Sequence, residues 1–226
     1  MATVVPIGEP VNDAERLAIA HLRDHLPSSY LVFHNFEIRR DGETFEVDIA
    51  VLAPHALYLV DVKGTRGLID VYGPKWYPEG RQPYTSPLVK LRGHARTVKG
   101  ILTESQPGRR DLEGVFVEAA ILLTAPDAHL VDQSSRDIDN VTTLKKAVSF
   151  FQNASRIPAR FEKNISRLHG MVRSALIGVA KPRSGPLVLG DWEVVERLGA
   201  SDTFTEYRAI NTFAGRRGGT ALLRAY

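Results

Sequence analysis

The strongest pattern of apolar and polar positions in the chain has a period of two and covers residues 45–52, which predicts a β-strand. Phe45, Val47, Ile49 and Val51 form one face, and Glu46, Asp48, Ala50 and Leu52 form the other. A proline-containing turn segment follows at residues 53–56, and a second apolar run covers residues 57–62. The two runs are therefore expected to form an antiparallel hairpin in which Leu52 pairs with Leu57.

The register of this hairpin places charged residues where a buried strand normally carries apolar ones. It sets Asp48 opposite Asp61, and Glu46 opposite Lys63. Directly opposed Cβ atoms lie roughly 4.5–5.5 Å apart, where like charges are destabilising. A divalent cation between Asp48 and Asp61 would remove the repulsion, because hard cations take oxygen ligands. Since Lys63 projects from the same strand face as Asp61, the pattern predicts a site for metal-assisted phosphodiester hydrolysis.

A structural ion-pair cluster is the alternative interpretation of Asp48, Asp61 and Lys63. Buried ion pairs rarely offset the cost of their desolvation. With Glu46 nearby, the acidic side chains also outnumber the lysine. The cation site is therefore the favoured hypothesis.

An amphipathic helix is predicted for residues 11–26, with Asn12 or Asp13 as its N-cap. Pro27 follows its end. Its apolar stripe contains Ile19, Leu22 and Leu26. Glu15 lies on the same stripe, and it is expected either to complement the helix dipole in the first turn or to point at a polar site.

A second helix is predicted to begin at Ser86 and Pro87, because proline is favoured at the first helical position. Its apolar face contains Leu88, Leu91, Ala95, Val98 and Leu102. Its cationic residues are Lys90, Arg92, Arg96 and Lys99. These cations are candidates for binding the phosphates of a nucleic acid by charge; a solvated amphipathic helix is the alternative.

The order of four segments resembles the NERD (nuclease-related) domain and, at its core, the PD-(D/E)XK nuclease superfamily. The segments are AERLAIAHL (14–22), FEVDIAVL (45–52), LYLVDVKGTRGLIDVYGPKWY (57–77) and SPL (86–88). The resemblance covers about the first half of the chain. It implies an α/β fold, with a mixed sheet around the antiparallel hairpin and helices on its flanks.

The same resemblance implies a set of site residues and a substrate. Asp48 and Asp61 would bind Mg²⁺ or Mn²⁺, Glu15 would be a further metal ligand, direct or bridged by water, and Lys63 would orient the attacking water or help to deprotonate it. The substrate would be DNA. The family usually has glutamine about where this chain has Lys90, so this part of the site is either lost or rebuilt as a phosphate contact.

Several other segments have simpler patterns. Residues 31–40 and 115–124 are predicted to form strands, the second of them buried. The polar segment 127–140 is predicted to be a loop, because it lacks the glycine and terminal glutamate of a calcium-binding hand. Residues 141–151 and 157–177 are predicted to form closing helices.

A proline- and glycine-containing linker at residues 181–186 divides the chain. Residues 1–180 are expected to be the NERD domain. Residues 187–226 resemble the first three strands of a protein-kinase N-lobe, with Leu198 and Gly199 opening the place of the glycine-rich loop and Arg224 at the place of the ATP-binding lysine.

This kinase-like pattern is degenerate. Ser201 and Phe204 stand where glycines are expected, and arginine does not replace lysine equivalently. The sequence stops before a catalytic loop, so this segment is expected to have no kinase activity and to be the front of a longer protein. The domain order resembles the PglW-type kinases of bacterial phage-defence (BREX) systems. A non-catalytic module that senses DNA or a protein and regulates the kinase-like region is therefore the alternative function.

Composition sets broader limits. The 226 residues are 43% hydrophobic and 24% charged, as in an ordinary globular protein, and no run is long enough to span a membrane. The absence of cysteine excludes disulfides and thiolate catalysis. Without a signal-peptide pattern, a cytoplasmic location is expected. The formal charge of +3 permits nucleic-acid binding without indicating it.

Overall fold

A computed structural model of the chain describes residues 1–104, 110–132, 137–183, 188–189, 191–200, 205–211 and 220–225. The chain forms two compact units, Met1–Arg183 and Ser184–Tyr226. The division lies inside the segment 181–186. Among the described helices, none has the length and apolar character needed to cross a bilayer.

The first unit is a mixed α/β structure. In chain order its elements are β1 (Thr3–Pro6), α1 (Asp13–His25), β2 (Leu31–Arg40), β3 (Glu43–Ala53), β4 (Ala56–Lys63), β5 (Leu68–Tyr72), β6 (Lys75–Pro78), β7 (Tyr84–Thr85), α2 (Pro87–Glu104), β8 (Val117–Leu123), β9 (His129–Asp132), β10 (Val141–Thr143), α3 (Leu144–Gln152), α4 (His169–Val179) and β11 (Ala180–Pro182). The main sheet has the order β1-β2-β3-β4-β8-β10, and β11 also pairs with β2. A smaller sheet has the order β7-β6-β5-β9.

The predicted hairpin is present as β3 and β4. Leu52 pairs with Leu57, which confirms the predicted register, and Ala53 pairs with Ala56 across the turn. On its other side β4 pairs in parallel with β8. The sheet is therefore mixed, with an antiparallel hairpin at its centre.

The hairpin ladder is shorter than predicted. It ends at the pair of Ile49 with Val60, and Glu46 pairs with Glu37 of β2. The predicted pairing of Glu46 with Lys63 is therefore wrong, and the predicted pair of Asp48 with Asp61 lies one position beyond the last pair of the ladder. The two strands separate at Asp48, because β3 stays with β2 while β4 continues along β8.

The faces of β3 also exchange at this point. Phe45 and Val47 pack in the core on the side of α2 and α4, whereas Ile49 and Val51 pack in the core on the side of α1 and α3. The prediction that all four share one face is therefore wrong. In the neighbouring strand β2, Asn35 has a left-handed φ of 57°, and a single left-handed residue interrupts the alternation of a strand.

Two hydrophobic cores cover the two faces of the main sheet. One contains apolar residues of α1 and α3, and the other contains those of α2, α4 and the smaller sheet. Trp76 of the smaller sheet is fully buried, and its indole N–H donates to Asp137 Oδ2 at 2.9 Å. Burial of both faces explains why β4 and β8 are almost continuously apolar.

The helix boundaries follow local signals. Asn12 is the N-cap of α1, and its side chain accepts from the Glu15 N–H. Pro87 is the first residue of α2, as predicted. The predicted helix over 157–177 is wrong in its first half: α4 begins at His169, and the backbone before it makes contacts outside a helix, such as the bond from the Ile165 N–H to the Pro54 carbonyl.

The polar segment 127–140 is also more regular than predicted. Its residues His129–Asp132 form β9, which pairs in parallel with β5. Residues 141–143 form β10 rather than the first turn of a helix, and α3 follows. Both short strands contain branched residues that suit a sheet edge.

The second unit contains a four-stranded antiparallel sheet. Its strands are β12 (Val188–Leu189), β13 (Trp192–Ala200), β14 (Thr205–Asn211) and β15 (Thr220–Ala225), in that order. Arg224 Nε of β15 donates to Glu206 Oε1 of β14 at 2.8 Å. The positions predicted to replace the kinase glycines, Ser201 and Phe204, lie outside the described residues.

Candidate active site

An open cleft of about 910 Å³ lies where β3 and β4 separate. The start of α1 and the start of α2 complete its walls. The predicted site residues Glu15, Asp48, Asp61 and Lys63 all line this cleft, and so does Lys90. Residues from four elements of the first unit therefore meet at one opening.

Asp48 lies at the point of separation. Its Oδ2 accepts a hydrogen bond of 2.8 Å from the backbone N–H of Val62, a donor on β4 beyond the last hairpin pair. This bond replaces a ladder hydrogen bond and fixes the carboxylate beside β4. The side chain is therefore held in place, and it remains partly accessible from the cleft.

Asp61 and Lys63 form an ion pair on the same face of β4. Lys63 Nζ lies 2.8 Å from Asp61 Oδ1. Burial raises the pKa of Asp61 to about 7, Lys63 acts against the rise, and the Asp48 carboxylate adds to it. Burial lowers the pKa of Lys63, but the carboxylates of Asp61 and Asp48 outweigh it and leave that pKa raised. The Asp48 carboxylate therefore contributes to the electrostatics of the Asp61–Lys63 pair.

Glu15 is buried although it is in the first turn of α1. Its Oε2 accepts from the Val11 N–H at 3.1 Å, and its Oε1 accepts from Asn12 Nδ2 at 3.0 Å. Burial raises the pKa of Glu15, and the nearby Asp48 carboxylate raises it further. Glu15 thus occupies the helix N-terminus and also faces the polar site, so both predicted interpretations describe it.

The comparison with family models identifies the kind of domain that carries this cleft. The nuclease-related domain, NERD, matches residues 10–124, a span that contains Glu15, Asp48, Asp61 and Lys63. The chain belongs to the NERD family. No curated protein and no solved structure matches the chain.

One supporting residue inside the NERD match was not singled out by its sequence. Asn35 is fully buried; its Nδ2 donates to Glu15 Oε2, and its Oδ1 lies 2.8 Å from His34 Nδ1. Asn35 therefore orients the Glu15 carboxylate. A lone asparagine in a predicted strand is the available signal, because asparagine is uncommon in strands and tolerates a left-handed backbone.

A second residue that sequence reasoning missed lies beyond the NERD match. Arg183 lines the cleft, and its guanidinium donates to Asp48 Oδ1. Its Nη1 lies 3.6 Å from Glu15 Oε1, and its Nε lies 3.5 Å from Glu46 Oε2. No spacing signal indicates this contact, because 135 residues separate Arg183 from Asp48 along the chain.

The cations of α2 divide between two surfaces. Lys90 lines the cleft, whereas Arg92, Arg96 and Lys99 line a second hollow of about 500 Å³. Lys99 Nζ donates to the carbonyls of Leu112, Glu113 and Val115 at 2.7–2.8 Å. Lys90 is thus the member of the predicted set that lines the same cleft as Glu15, Asp48 and Asp61.

The donor set of the NERD cleft fits a hard divalent cation. Carboxylate oxygens are the ligands such ions prefer, and Mg²⁺ commonly binds through one or two carboxylates while keeping several waters. The described residues contain no group of three or more histidine, aspartate or glutamate side chains arranged to hold a metal. Asp48, Asp61 and Glu15 are the carboxylates of the cleft that could hold such an ion.

Proposed function

We propose that this NERD domain is a metal-dependent DNA nuclease that hydrolyses phosphodiesters with a PD-(D/E)XK-type site. The observation that carries the proposal is the meeting of Asp48, Asp61 and Lys63 in one open cleft at the split end of the hairpin. An acid pair with an adjacent ammonium group is the set of residues that metal-assisted phosphodiester hydrolysis uses. The family match supports a nuclease-related role.

The proposed cofactor is Mg²⁺ or Mn²⁺, held by Asp48 and Asp61. When bound, such an ion polarises a phosphoryl oxygen and lowers the pKa of a coordinated water. Burial raises the pKa of Asp61, and Lys63 opposes the rise. A bound cation would stabilise the ionised carboxylate further, so the raised pKa supports a cation site here. The Val62 N–H holds Asp48 Oδ2, so Oδ1, which now accepts from the Arg183 guanidinium, is the oxygen of Asp48 that would hold the ion.

The other residues have separable roles in the proposal. Lys63 holds its proton at Nζ beside Asp61 and stabilises negative charge that develops on the phosphate. Glu15 positions a water through its buried carboxylate, which Asn35 orients. Lys90 lies exposed on the cleft wall and binds a neighbouring phosphate of the DNA.

The test is nicking of supercoiled plasmid by the full chain in Mn²⁺. We expect Asp61→Asn and Lys63→Met each to lower the rate by about a hundredfold or more, because each removes a group that acts on the reacting phosphate. Asp70→Asn, which removes an acid on β5 outside the cleft, is the matched control and should nick at the wild-type rate. Nicking that survives both cleft substitutions would come from a contaminant and would remove the enzyme proposal.

A non-catalytic DNA- or protein-binding sensor that regulates the kinase-like region is the second candidate. Two observations favour it: the described residues hold no three-ligand metal group, and the Arg183 guanidinium already contacts Asp48. DNA binding without cleavage in Mg²⁺ or Mn²⁺, and with unchanged affinity in Asp61→Asn, would support the sensor over the nuclease.

We also propose that the second unit is the start of a kinase-like domain in a PglW-type phage-defence protein. Its three consecutive antiparallel strands β13–β15 support this assignment. Arg224 occupies the proposed lysine position. Its guanidinium pairs with Glu206 of the neighbouring strand, whereas the lysine of a kinase would bind phosphate. Phage plating on cells that carry the complete gene is the test, and Asp61→Asn should restore plaque formation if the nuclease acts in defence.

A further inference from the structure

Arg183 reaches the cleft because a short strand holds the backbone next to it. In β11, Ala180, Lys181 and Pro182 pair antiparallel with Ile38, Glu37 and Phe36 of β2. β1 pairs with the other half of the same edge of β2. Arg183 therefore depends on a three-residue edge strand, and it is the last residue of the first unit.

The side chain of Arg183 is enclosed by carboxylates. It is 11% exposed and makes ion-pair contacts with Asp48, Glu15 and Glu46, which come from β3 and α1. Within the part of the chain that the structure describes, its Nε has no hydrogen-bond partner, although Glu46 Oε2 lies 3.5 Å away. Electrostatic attraction, rather than a complete set of hydrogen bonds, therefore holds the guanidinium in place.

A metal ion and Arg183 need the same atom. The two oxygens of Asp48 are both engaged: Oδ2 accepts from the Val62 N–H, and Oδ1 accepts from the Arg183 guanidinium. A cation bound through Asp48 would take Oδ1, since the bond to Val62 is part of the backbone frame. Two positive groups at one carboxylate oxygen also repel each other.

We propose that Arg183 is a built-in competitor of the divalent cation, so that metal binding requires its guanidinium to leave Asp48. This inference rests on the proposed metal site. Because Arg183 directly follows β11, any event that loosens β11 from β2 raises the affinity of the site for metal. The last strand of the first unit thus regulates the cleft.

The alternative role for Arg183 is to assist the metal site. An arginine that orients Asp48 or Glu15 for the ion would strengthen metal binding, so its removal would weaken affinity. Competition predicts the opposite sign. Metal affinity therefore separates the two roles without any measurement of cleavage.

The experiment is calorimetric titration of the full chain with Mn²⁺. We expect Arg183→Gln to bind Mn²⁺ about tenfold more tightly than the wild type, a typical size for coupling between two binding events. Arg183→Lys should lie between them, because a compact ammonium does not span the carboxylates as a planar guanidinium does. Arg167→Gln is the control of equal charge: Arg167 pairs on the surface with Asp111 and Glu162, and its removal should leave affinity unchanged.

The outcomes distinguish this inference from the proposed function. If the wild type binds Mn²⁺ and Asp48→Asn does not, the metal site stands, and equal or weaker binding by Arg183→Gln then overturns the competition. If Asp48→Asn binds as the wild type does, the ion is elsewhere and the proposed site itself fails. Circular dichroism checks the folding of each variant, and Arg183→Lys decides the sign if Arg183→Gln does not fold.

Discussion

Asn35 links the geometry of the sheet to the orientation of Glu15. It is fully buried, it has a φ of 57°, and its amide contacts Glu15 and His34. Asparagine tolerates this conformation better than most residues. One residue therefore shapes the strand where its faces exchange and holds the buried acid at the cleft.

Substitution of Asn35 separates these two contributions. Asn35→Gly and Asn35→Ala both lose the amide, so each should lower the free energy of unfolding by roughly 1–3 kcal/mol. Alanine should cost about 1 kcal/mol more than glycine, because a Cβ disfavours the left-handed backbone. Urea unfolding measures both values, and equal losses in the two variants would argue against backbone strain at this position.

The buried His55 predicts how stability responds to acid. It lies in the turn between β3 and β4, its Nε2 is 3.1 Å from the Tyr58 hydroxyl, and burial lowers its pKa from the ordinary value of 6.5. Below pH 6.5 the unfolded chain takes up a proton that the folded chain resists. The free energy of unfolding therefore falls as the pH drops below this value, by at most about 1.4 kcal/mol per pH unit from this group.

His55→Gln provides the comparison, because glutamine does not titrate. Urea unfolding between pH 7 and 5 should show a shallower loss of stability in the variant. The other histidines contribute to both proteins and cancel in the difference. Identical slopes would mean that His55 is protonated equally in the folded and unfolded chain.

At the residue scale, predictability depends on distance along the chain. Asp48, Asp61 and Lys63 are predictable because a short turn sets the hairpin register, and that register determines which side chains meet. Arg183 is not, because it reaches Asp48 through pairing between distant strands. Asn35 has a local signal, but its contact with Glu15 depends on how α1 packs against the sheet.

At the element scale, α2 separates its cations because a helix presents residues in several directions. Lys90 faces the cleft, and Arg96 faces the second hollow. The composition of the helix indicates a basic surface. Only the packing of its apolar stripe against β4 and β8 shows that the basic residues lie on two sides.

This division gives a prediction for DNA binding. Lys90→Gln should weaken binding and reduce the slope of log affinity against log salt concentration by about 1, as expected for one lost phosphate contact. Arg96→Gln removes the same charge from the same helix and should leave the slope nearly unchanged. Fluorescence anisotropy over a range of salt concentrations measures both, and equal effects would place the DNA on the second hollow as well.

The smaller sheet is joined to the start of α2 through Asp137. Its Oδ2 accepts from Trp76 Nε1 and from the Ser86 hydroxyl, and its Oδ1 lies 3.5 Å from Arg92 Nη1. A buried carboxylate with several donors connects elements that share little backbone pairing. These donors would lose their acceptor together if the carboxylate were removed.

Asp137→Ala should therefore lower the free energy of unfolding by roughly 2–4 kcal/mol, because it leaves the buried indole N–H without an acceptor. Asp139→Ala removes an exposed acid two residues away and should change stability by less than about 0.5 kcal/mol. Urea unfolding monitored by tryptophan fluorescence measures both variants. A loss in Asp137→Ala no larger than in Asp139→Ala would contradict the structural role of the network.

At the scale of the whole molecule, the mixed α/β class and the central hairpin are predictable from apolar periodicity. The exchange of faces at Asp48 is not predictable from the sequence. Val47 and Ile49 pack in different cores, but the apolar residues still alternate with a period of two, as they would on a single face. The predicted helix over 157–177 fails for a similar reason. The apolar residues in its first half belong to irregular backbone; Ile165, for example, donates its N–H to the Pro54 carbonyl at 2.6 Å. Periodicity does not distinguish such residues from the apolar stripe of a helix.

The position of β11 predicts where the first unit ends. A fragment of residues 1–183 retains both cores and every strand of the main sheet, so it should unfold cooperatively. A fragment of residues 1–179 loses β11, exposes half of the β2 edge and leaves Glu15 and Asp48 without the Arg183 guanidinium. It should be less stable by roughly 2–4 kcal/mol.

Adding Mn²⁺ should recover part of this loss, because a ligand that binds the folded state stabilises it. Thermal unfolding of both fragments with and without Mn²⁺ measures the effect, and equal melting temperatures would show that β11 contributes nothing to the unit.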